Sequence, residues 1–260
     1  MDKSFGKVIV WGLFSLAVLA IPQAASAVLP VSPRRFVDFL DVRCYQISNQ
    51  PHLNLPLRLD HLNPVLVGKK LPFENVVLQD PQQLCVPVAK NHMLAPPDTL
   101  PTIQFVDWKC YGITGPSIDL PLQLTQLNPV IAGLFGPNVS VTLREPQQLC
   151  VPVVKNGSLP PADVQSLVQF LDVKCYRVET TQGGSKNVTL THLNPLLAGL
   201  PSEVSSVGPT PEQLCVPVTK NQMMPPPSIL PYIQFADVLC YPATGRPLNM
   251  NLTLHHLNPV

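Results

Sequence analysis

The sequence predicts an all-β protein made of tandem, small, disulfide-closed, β-sandwich-like repeats of about 65 residues. Three observations support this prediction. Three sequence blocks recur in the same order at an offset of 65 or 66 residues, stretches such as 139–143 and 188–191 alternate with the two-residue period of strands, and the cysteines fall on the repeat. No segment has a sustained helical stripe, which argues against a mainly helical fold.

The repeat is carried by three blocks. The first reads Phe-Leu-Asp-Val-Arg-Cys-Tyr at 39–45 and returns with small changes at 105–111, 170–176 and 235–241. The second is Leu-Asn-Pro, at 62–64, 127–129, 193–195 and 257–259. The third reads Pro-Gln-Gln-Leu-Cys-Val-Pro-Val-Ala-Lys-Asn at 81–91 and returns at 146–156 and 211–221.

These blocks define four sequence units. Pro-Pro stretches mark the boundaries between them, because paired prolines are typical of turns and rigid spacers. The units span residues 28–96, 97–161, 162–227 and 228–260. The fourth contains no third block, so we expect the chain to be a fragment of a longer protein.

The N-terminus has the three parts of a secretory signal peptide, residues 1–27. Lys3 and Lys7 precede an apolar run at 8–21, and Ala25-Ser26-Ala27 offers a small-residue cleavage site. The sequence therefore predicts a protein that is secreted or held in the cell envelope, periplasmic or extracellular, with no membrane span after cleavage.

The overall charge argues against some classes of partner. Lys and Arg number 17 against 16 Asp and Glu, which leaves a net charge of +1. A nearly neutral chain has no long-range field to attract nucleic acid or an anionic membrane. We expect an unidentified protein or glycan as the ligand, and no nucleic acid.

The seven cysteines predict disulfides, because exported proteins meet an oxidising compartment. One pairing lies within units, Cys44–Cys85, Cys110–Cys150 and Cys175–Cys215. The other joins neighbouring units, Cys85–Cys110, Cys150–Cys175 and Cys215–Cys240. The first is favoured, because each first-block cysteine shares a strand face with apolar residues of its own unit. It leaves Cys240 as a free, reactive thiol.

One face of the first-block strand is a possible binding strip. If the whole block forms a β-strand from its first residue onward, its aromatic and acidic side chains lie on the face opposite the core face. The strip consists of Phe39, Asp41, Tyr45, Phe105, Asp107, Tyr111, Phe170, Asp172 and Tyr176. The alternative is that this face packs internally, with the acids paired to bases. Third-block lysines such as Lys90 are candidate partners for these acids.

Three histidines, His61, His192 and His256, precede the Asn-Pro pairs and invite a metal interpretation. Unit two has Gln126 in that place. Glutamine can replace histidine as a hydrogen-bond donor but is a poor ligand for zinc or copper. We therefore predict no metal site and no cofactor, and a structural role for the histidines.

The Cys-Tyr block and the Leu-Cys-x-Pro-x-x-Lys-Asn block together resemble a bacterial domain family found in exported proteins. The likeness covers about residues 36–260 and is carried best by the Val-Pro-Val segments that begin at Val86, Val151 and Val216. The resemblance implies an extracellular β-rich domain and assigns no activity.

No catalytic motif stands out, and a repeated polar residue suits structure or multivalent contact better than a single active site. The sequence therefore predicts a non-enzymatic extracellular or cell-envelope protein, an adhesive, scaffolding or ligand-binding array. The alternative is an accessory region of a secreted hydrolase whose catalytic domain lies beyond residue 260.

Overall fold

The computed structural model describes residues 31–258 except Asn49 and Pro72. The predicted signal peptide, residues 1–27, lies outside the described residues. In the described part, strands dominate and the helices are short. The six helices are α1 (Pro33–Asp38), α2 (Pro64–Gly68), α3 (Leu100–Ile103), α4 (Pro129–Phe135), α5 (Ala162–Val168) and α6 (Leu230–Ile233).

The strands follow the three sequence blocks. First-block strands are β1 (Val42–Gln46), β4 (Trp108–Thr114), β7 (Asp172–Glu179) and β11 (Val238–Cys240). Second-block strands are β2 (Leu55–His61), β5 (Leu120–Thr125), β8 (Lys186–His192) and β13 (Leu254–His256). Third-block segments end β3 (Phe73–Lys90) and β6 (Asn138–Lys155) and form β10 (Gln213–Lys220). The remaining strands are β9 (Glu203–Val207) and β12 (Ala243–Thr244).

The Asn-Pro pairs at 63–64 and 128–129 start short helices at the ends of second-block strands. The Oδ1 of Asn63 accepts the backbone N–H of Val65, and Pro64 is the first residue of α2. The Oδ1 of Asn128 likewise accepts the N–H of Val130 at the start of α4. An asparagine cap followed by proline suits a helix start, because proline has no N–H to leave unpaired there.

The strands join in one large antiparallel sheet, which confirms the all-β prediction. A central row alternates first-block and third-block strands in the order β1, β3, β4, β6, β7, β10, β11. Each third-block segment thus lies between the first-block strand of its own unit and that of the next unit. The units are therefore not separate sandwiches, because neighbours share strands.

Second-block strands connect units that are two apart. Val88–Lys90 of β3 pair with β8, Val153–Lys155 of β6 pair with β13, and Val218–Lys220 of β10 pair with β2. Unit one is therefore joined to unit three in two places, and unit two to unit four. The last helix, α6, packs against the first, α1, so the fourth unit also lies against the first.

Disulfides join residues directly opposite each other in the antiparallel ladders. The bonded pairs are Cys44–Cys85, Cys110–Cys150 and Cys175–Cys215. Cys240 is a free thiol. The structure therefore has the within-unit pairing that the sequence favoured.

The two faces of the first-block strands enter different cores. All seven cysteines pack in or against one apolar cluster, together with Trp108 and residues of α1 and α5. Tyr45, Tyr111 and Tyr176 face away from it and pack in other clusters. Cysteine and tyrosine are adjacent in sequence, so this is the alternation expected of a strand.

The expected placement of the first-block phenylalanines is corrected. Phe39, Phe105 and Phe170 lie just after short helices, before the strands begin, and pack against the cysteine cluster rather than beside the tyrosines. Strand alternation does not extend back across a helix end, which is why counting in twos from the phenylalanine assigned the wrong face. Among the described residues, no helix is long and apolar enough to cross a membrane.

Candidate functional site

Each first-block aspartate accepts a hydrogen bond from the second-block asparagine of another unit. The Nδ2–Oδ2 pairs are Asn128–Asp41 (2.5 Å), Asn194–Asp107 (2.7 Å), Asn258–Asp172 (2.7 Å) and Asn63–Asp237 (2.5 Å). In the first three pairs the asparagine comes from the following unit, and in the fourth it comes from unit one. The four Asn–Asp contacts therefore form a closed ring that includes all four units.

Three of these aspartates also pair with the lysine that ends the third-block segment of their own unit. The ion pairs are Lys90–Asp41, Lys155–Asp107 and Lys220–Asp172. The Asp107 and Lys155 side chains are only 4% and 1% exposed. Burial raises the pKa of Asp107 and of Asp172 to about 6, although the neighbouring lysine opposes the rise.

The fourth aspartate, Asp237, differs from the other three. Within residues 31–258 it accepts the hydrogen bond of Asn63 and has no lysine beside it. Desolvation by its protein neighbours, with no cation to oppose it, raises the pKa of Asp237 to about 7, although the residue is exposed. In the described part of the chain, Asp237 is thus an exposed acid without a base, in a place where the other units supply one.

The tyrosines of the first block form hydrogen bonds with the residues that precede Leu-Asn-Pro in the unit two away. Tyr45, Tyr111 and Tyr176 lie 2.8, 2.7 and 2.9 Å from the Nε2 atoms of His192, His256 and His61, respectively. In the fourth pair, the Nε2 of Gln126 donates to the Tyr241 hydroxyl across 3.0 Å. Glutamine therefore makes the same hydrogen bond as histidine.

The histidines lie among hydrogen-bonding and apolar neighbours. Burial lowers the pKa of His61 to about 4, so this imidazole is neutral at physiological pH. In the part of the chain that the structure describes, no three His, Cys, Asp or Glu side chains are grouped to hold a metal ion.

Two further acid–base contacts join units one and three. Lys174 contacts Glu74 in the interior, and Arg43 lies 3.8 Å from Glu203. Burial lowers the pKa of Lys174 to about 7. The Tyr176 hydroxyl also bonds to Glu74, so this buried carboxylate has two polar partners.

Units two and four replace this polar contact with an apolar one. Leu239 has the place of the base in unit four, and it packs against the cluster that contains Val139. Val139 lies opposite Leu124 in the same register that puts Glu74 opposite Leu59. The acid and the base are thus both replaced by apolar residues in the paired units.

The predicted binding strip is largely used in these internal contacts. Asp107, Asp172, Tyr111 and Tyr176 are buried, and Tyr45 is half-buried. A ligand-binding role for this strip stays a prediction. The observed role of its acids and tyrosines is to link units.

A cavity of about 1020 Å³ lies among strands of units one, two and four. It is lined by β1, by residues 237–241 including β11, and by residues 122–128 at the end of β5. We call it the β1/β11 cavity. Asp237 and Cys240 both line it, so it contains the unpaired acid and the free thiol.

Burial raises the pKa of the Cys240 thiol to about 12. Because the thiolate is the reactive form, this shift slows the reaction of Cys240 at neutral pH. The reactivity expected of Cys240 stays a prediction. Its Sγ lies 3.7 Å from that of Cys215, on the core side of β11.

Comparisons of the chain with protein-family models, curated proteins and solved structures found no match.

Sequence reasoning missed two features of this region. It placed Asn63 and its equivalents in turns and did not connect them to the aspartates. The cavity was also missed, because it depends on strands from units one, two and four meeting in space. A signal for the first was present, since asparagine and aspartate recur together in every unit.

Proposed function

We propose that this protein is a non-enzymatic, exported scaffolding or ligand-binding protein of the bacterial cell surface or extracellular space. The observation that carries the proposal is the use made of its recurring polar side chains. Asp, Lys, Asn, Tyr and His at the repeated positions bond to one another between distant parts of the chain. These contacts are spread around the sheet and do not converge on one reacting centre.

Chemistry and compartment support the same proposal. Three disulfides are stable in an oxidising environment, which is what an exported protein meets. Buried polar contacts between units, such as Lys174–Glu74 and Asn194–Asp107, favour one arrangement of otherwise similar strands, a role that buried polar groups have in other proteins. A rigid frame of this kind is suited to presenting edges and cavities to a protein or glycan partner.

The test combines export, turnover and stability. The full chain is expressed with its N-terminal segment, fractionated, and labelled at thiols before and after reduction. We expect oxidised protein outside the cytoplasm. The purified protein should have no turnover on panels of ester, peptide and glycoside substrates, and Asp107→Asn should lower stability.

Asp163→Asn is the matched control, because Asp163 is an exposed carboxylate on α5. The proposal would be contradicted if the parent protein turns over a substrate and the folded Asp107→Asn variant does not. That result would instead favour a hydrolytic function for the buried acids.

A further inference from the structure

The β1/β11 cavity is bounded by the same three kinds of strand that surround every third-block segment. The segment in β10, for example, pairs with β7 of its own unit, with β11 of the next unit and with β2 of the unit two away. The segments in β3 and β6 have the corresponding three neighbours. A third-block segment is therefore always enclosed by two first-block strands and one second-block strand.

The cavity has this set of neighbours without the segment. It is lined by β11 of unit four, by β1 of unit one and by the end of β5 of unit two. In the described sheet, β1 pairs with β3, β11 with β10, and β5 with β6. Each of the three strands therefore has one edge without a ladder partner within residues 31–258.

The side chains around the cavity are those that a third-block segment would complete. Asp237 has the place in which three other aspartates meet a third-block lysine. Cys240 has the place in which three other cysteines meet a third-block cysteine. The cavity thus offers both a negative charge and a thiol to an incoming strand.

Burial along the lining strands is also incomplete. Leu122 and Leu124 of β5 are half-buried, whereas the equivalent Leu57 and Leu59 of β2 are buried. Tyr45 of β1 is half-buried as well, although Tyr111 and Tyr176 are buried. The apolar surface left open here is the surface that third-block segments cover elsewhere.

We propose that the β1/β11 cavity is an acceptor site for an extended partner peptide with the third-block pattern Leu-Cys-x-Pro-x-x-Lys-Asn. The peptide adds as a strand antiparallel to both β1 and β11, as in binding by strand addition. This deepens the proposed function by naming the class of ligand that the scaffold would bind.

The existing ladders fix the register of the peptide. Third-block cysteines lie opposite the first-block cysteine of their own unit, so the peptide cysteine lies opposite Cys240. Third-block lysines lie opposite Leu59, Leu190 or Leu254, so the peptide lysine lies opposite Leu124. In this register the lysine ammonium is near Asp237.

The probe is a synthetic copy of residues 211–221 with alanine in place of its cysteine, titrated into the oxidised, full-length exported protein. We expect saturable binding of one peptide per chain. Changing the peptide lysine to methionine, or changing Asp237→Asn in the protein, should each weaken binding about 30-fold or more, because either change leaves a buried charge without its partner. When the methionine peptide is titrated into the Asp237→Asn protein, binding should be little weaker than with either change alone.

Two controls distinguish binding at this site from non-specific binding. A scrambled peptide of the same composition should not bind, and the exposed Asp163→Asn variant should bind as the parent does. Equal binding of the scrambled peptide would overturn the proposal, as would binding that neither the peptide lysine nor Asp237 affects. A concentration-dependent dimer that the peptide does not dissociate would identify a second copy as the occupant and also overturn it.

A second measurement locates the peptide. The cysteine-containing peptide is supplied as a mixed disulfide with thiopyridine. The Cys240 thiolate attacks the peptide sulfur, a protein–peptide disulfide forms, and the sulfur–thiopyridine bond breaks to release thiopyridone. Peptide mapping should find the link at Cys240, and Cys240→Ser should abolish it. Linkage at another cysteine, or equal linkage when the peptide cysteine is moved by two positions, would refute the proposed register.

The tests distinguish the two proposals. If the peptide does not bind, the proposed acceptor site is wrong. The proposed non-enzymatic function would not be affected, because it is tested by export, disulfides and turnover. Turnover in the substrate panels would remove the non-enzymatic function whether or not the peptide binds.

Discussion

The isolated acid Asp237 predicts an opposite stability effect from its paired equivalents. Replacing Asp237 with asparagine keeps the size of the side chain and an oxygen that can accept from Asn63. The change removes a carboxyl that ionises at a pKa of about 7 in the folded protein, against 3.8 for the ordinary carboxyl. One pKa unit equals about 1.4 kcal/mol, but Asp237 is exposed, and solvent screening reduces the cost of its ionisation to the folded state to about 1 kcal/mol.

The sign of the pH dependence follows from proton binding. Between pH 4 and 7 the folded state binds more protons at Asp237 than the unfolded state, so stability falls as the pH rises. Asp237→Asn should therefore be nearly neutral below pH 4 and should raise the free energy of unfolding by about 1 kcal/mol at pH 8. Asp107→Asn should instead lower it by about 3–5 kcal/mol at pH 8, because Lys155 then stays buried without its counter-charge.

Urea unfolding at several pH values, with the disulfides intact, measures both effects. Trp108 is buried and is the sole tryptophan of the predicted mature chain, so its fluorescence reports the transition. If Asp237→Asn destabilises the protein at pH 8 as much as Asp107→Asn does, the predicted cost of ionised Asp237 is wrong. The same holds if the stability gain from Asp237→Asn is equal at pH 4 and pH 8.

Three further predictions follow from the contacts. His192→Gln should change the free energy of unfolding by less than about 1 kcal/mol in urea, because a glutamine already makes the equivalent bond to tyrosine in unit two; loss of tightly bound metal in this variant would contradict the structural role. Tyr176→Phe should cost about 1–3 kcal/mol in the same assay, since Glu74 loses a buried hydroxyl donor. Alkylation of native protein should be slow, and peptide mapping after unfolding without reduction should find the label on Cys240, not on Cys44.

Local alternation and composition were enough to predict the strands and disulfides. Cys44 and Tyr45 are adjacent, so a strand must send them to opposite faces, and the structure does so. The helix before each first-block strand was not predicted. Helices of four to seven residues are too short to give a periodic apolar stripe.

The sequence could not show which copies of a repeated block meet. The sulfur atoms of Cys85 and Cys110, from neighbouring units, lie 3.6 Å apart, so both pairings considered from sequence are close in space. Every Asn-Pro turn has nearly the same neighbours in sequence, and nothing local says that Asn63 meets Asp237. Such contacts depend on strand order, which a periodic sequence leaves open.

The departures from the repeat become informative once the strand order is known. Unit four has Leu239 in place of a base, and unit two, which faces it, has Val139 in place of an acid. Unit two also has Gln126 in place of histidine, and it bonds to Tyr241 of unit four. Residues change together when they belong to units two apart, so the physical element of this protein is the pair of facing units. In a single unit, the aspartate would lose the asparagine of another unit, the tyrosine would lose its hydrogen-bond partner, and the strand pairings between units would be absent. We therefore infer that the four units fold together and not one by one.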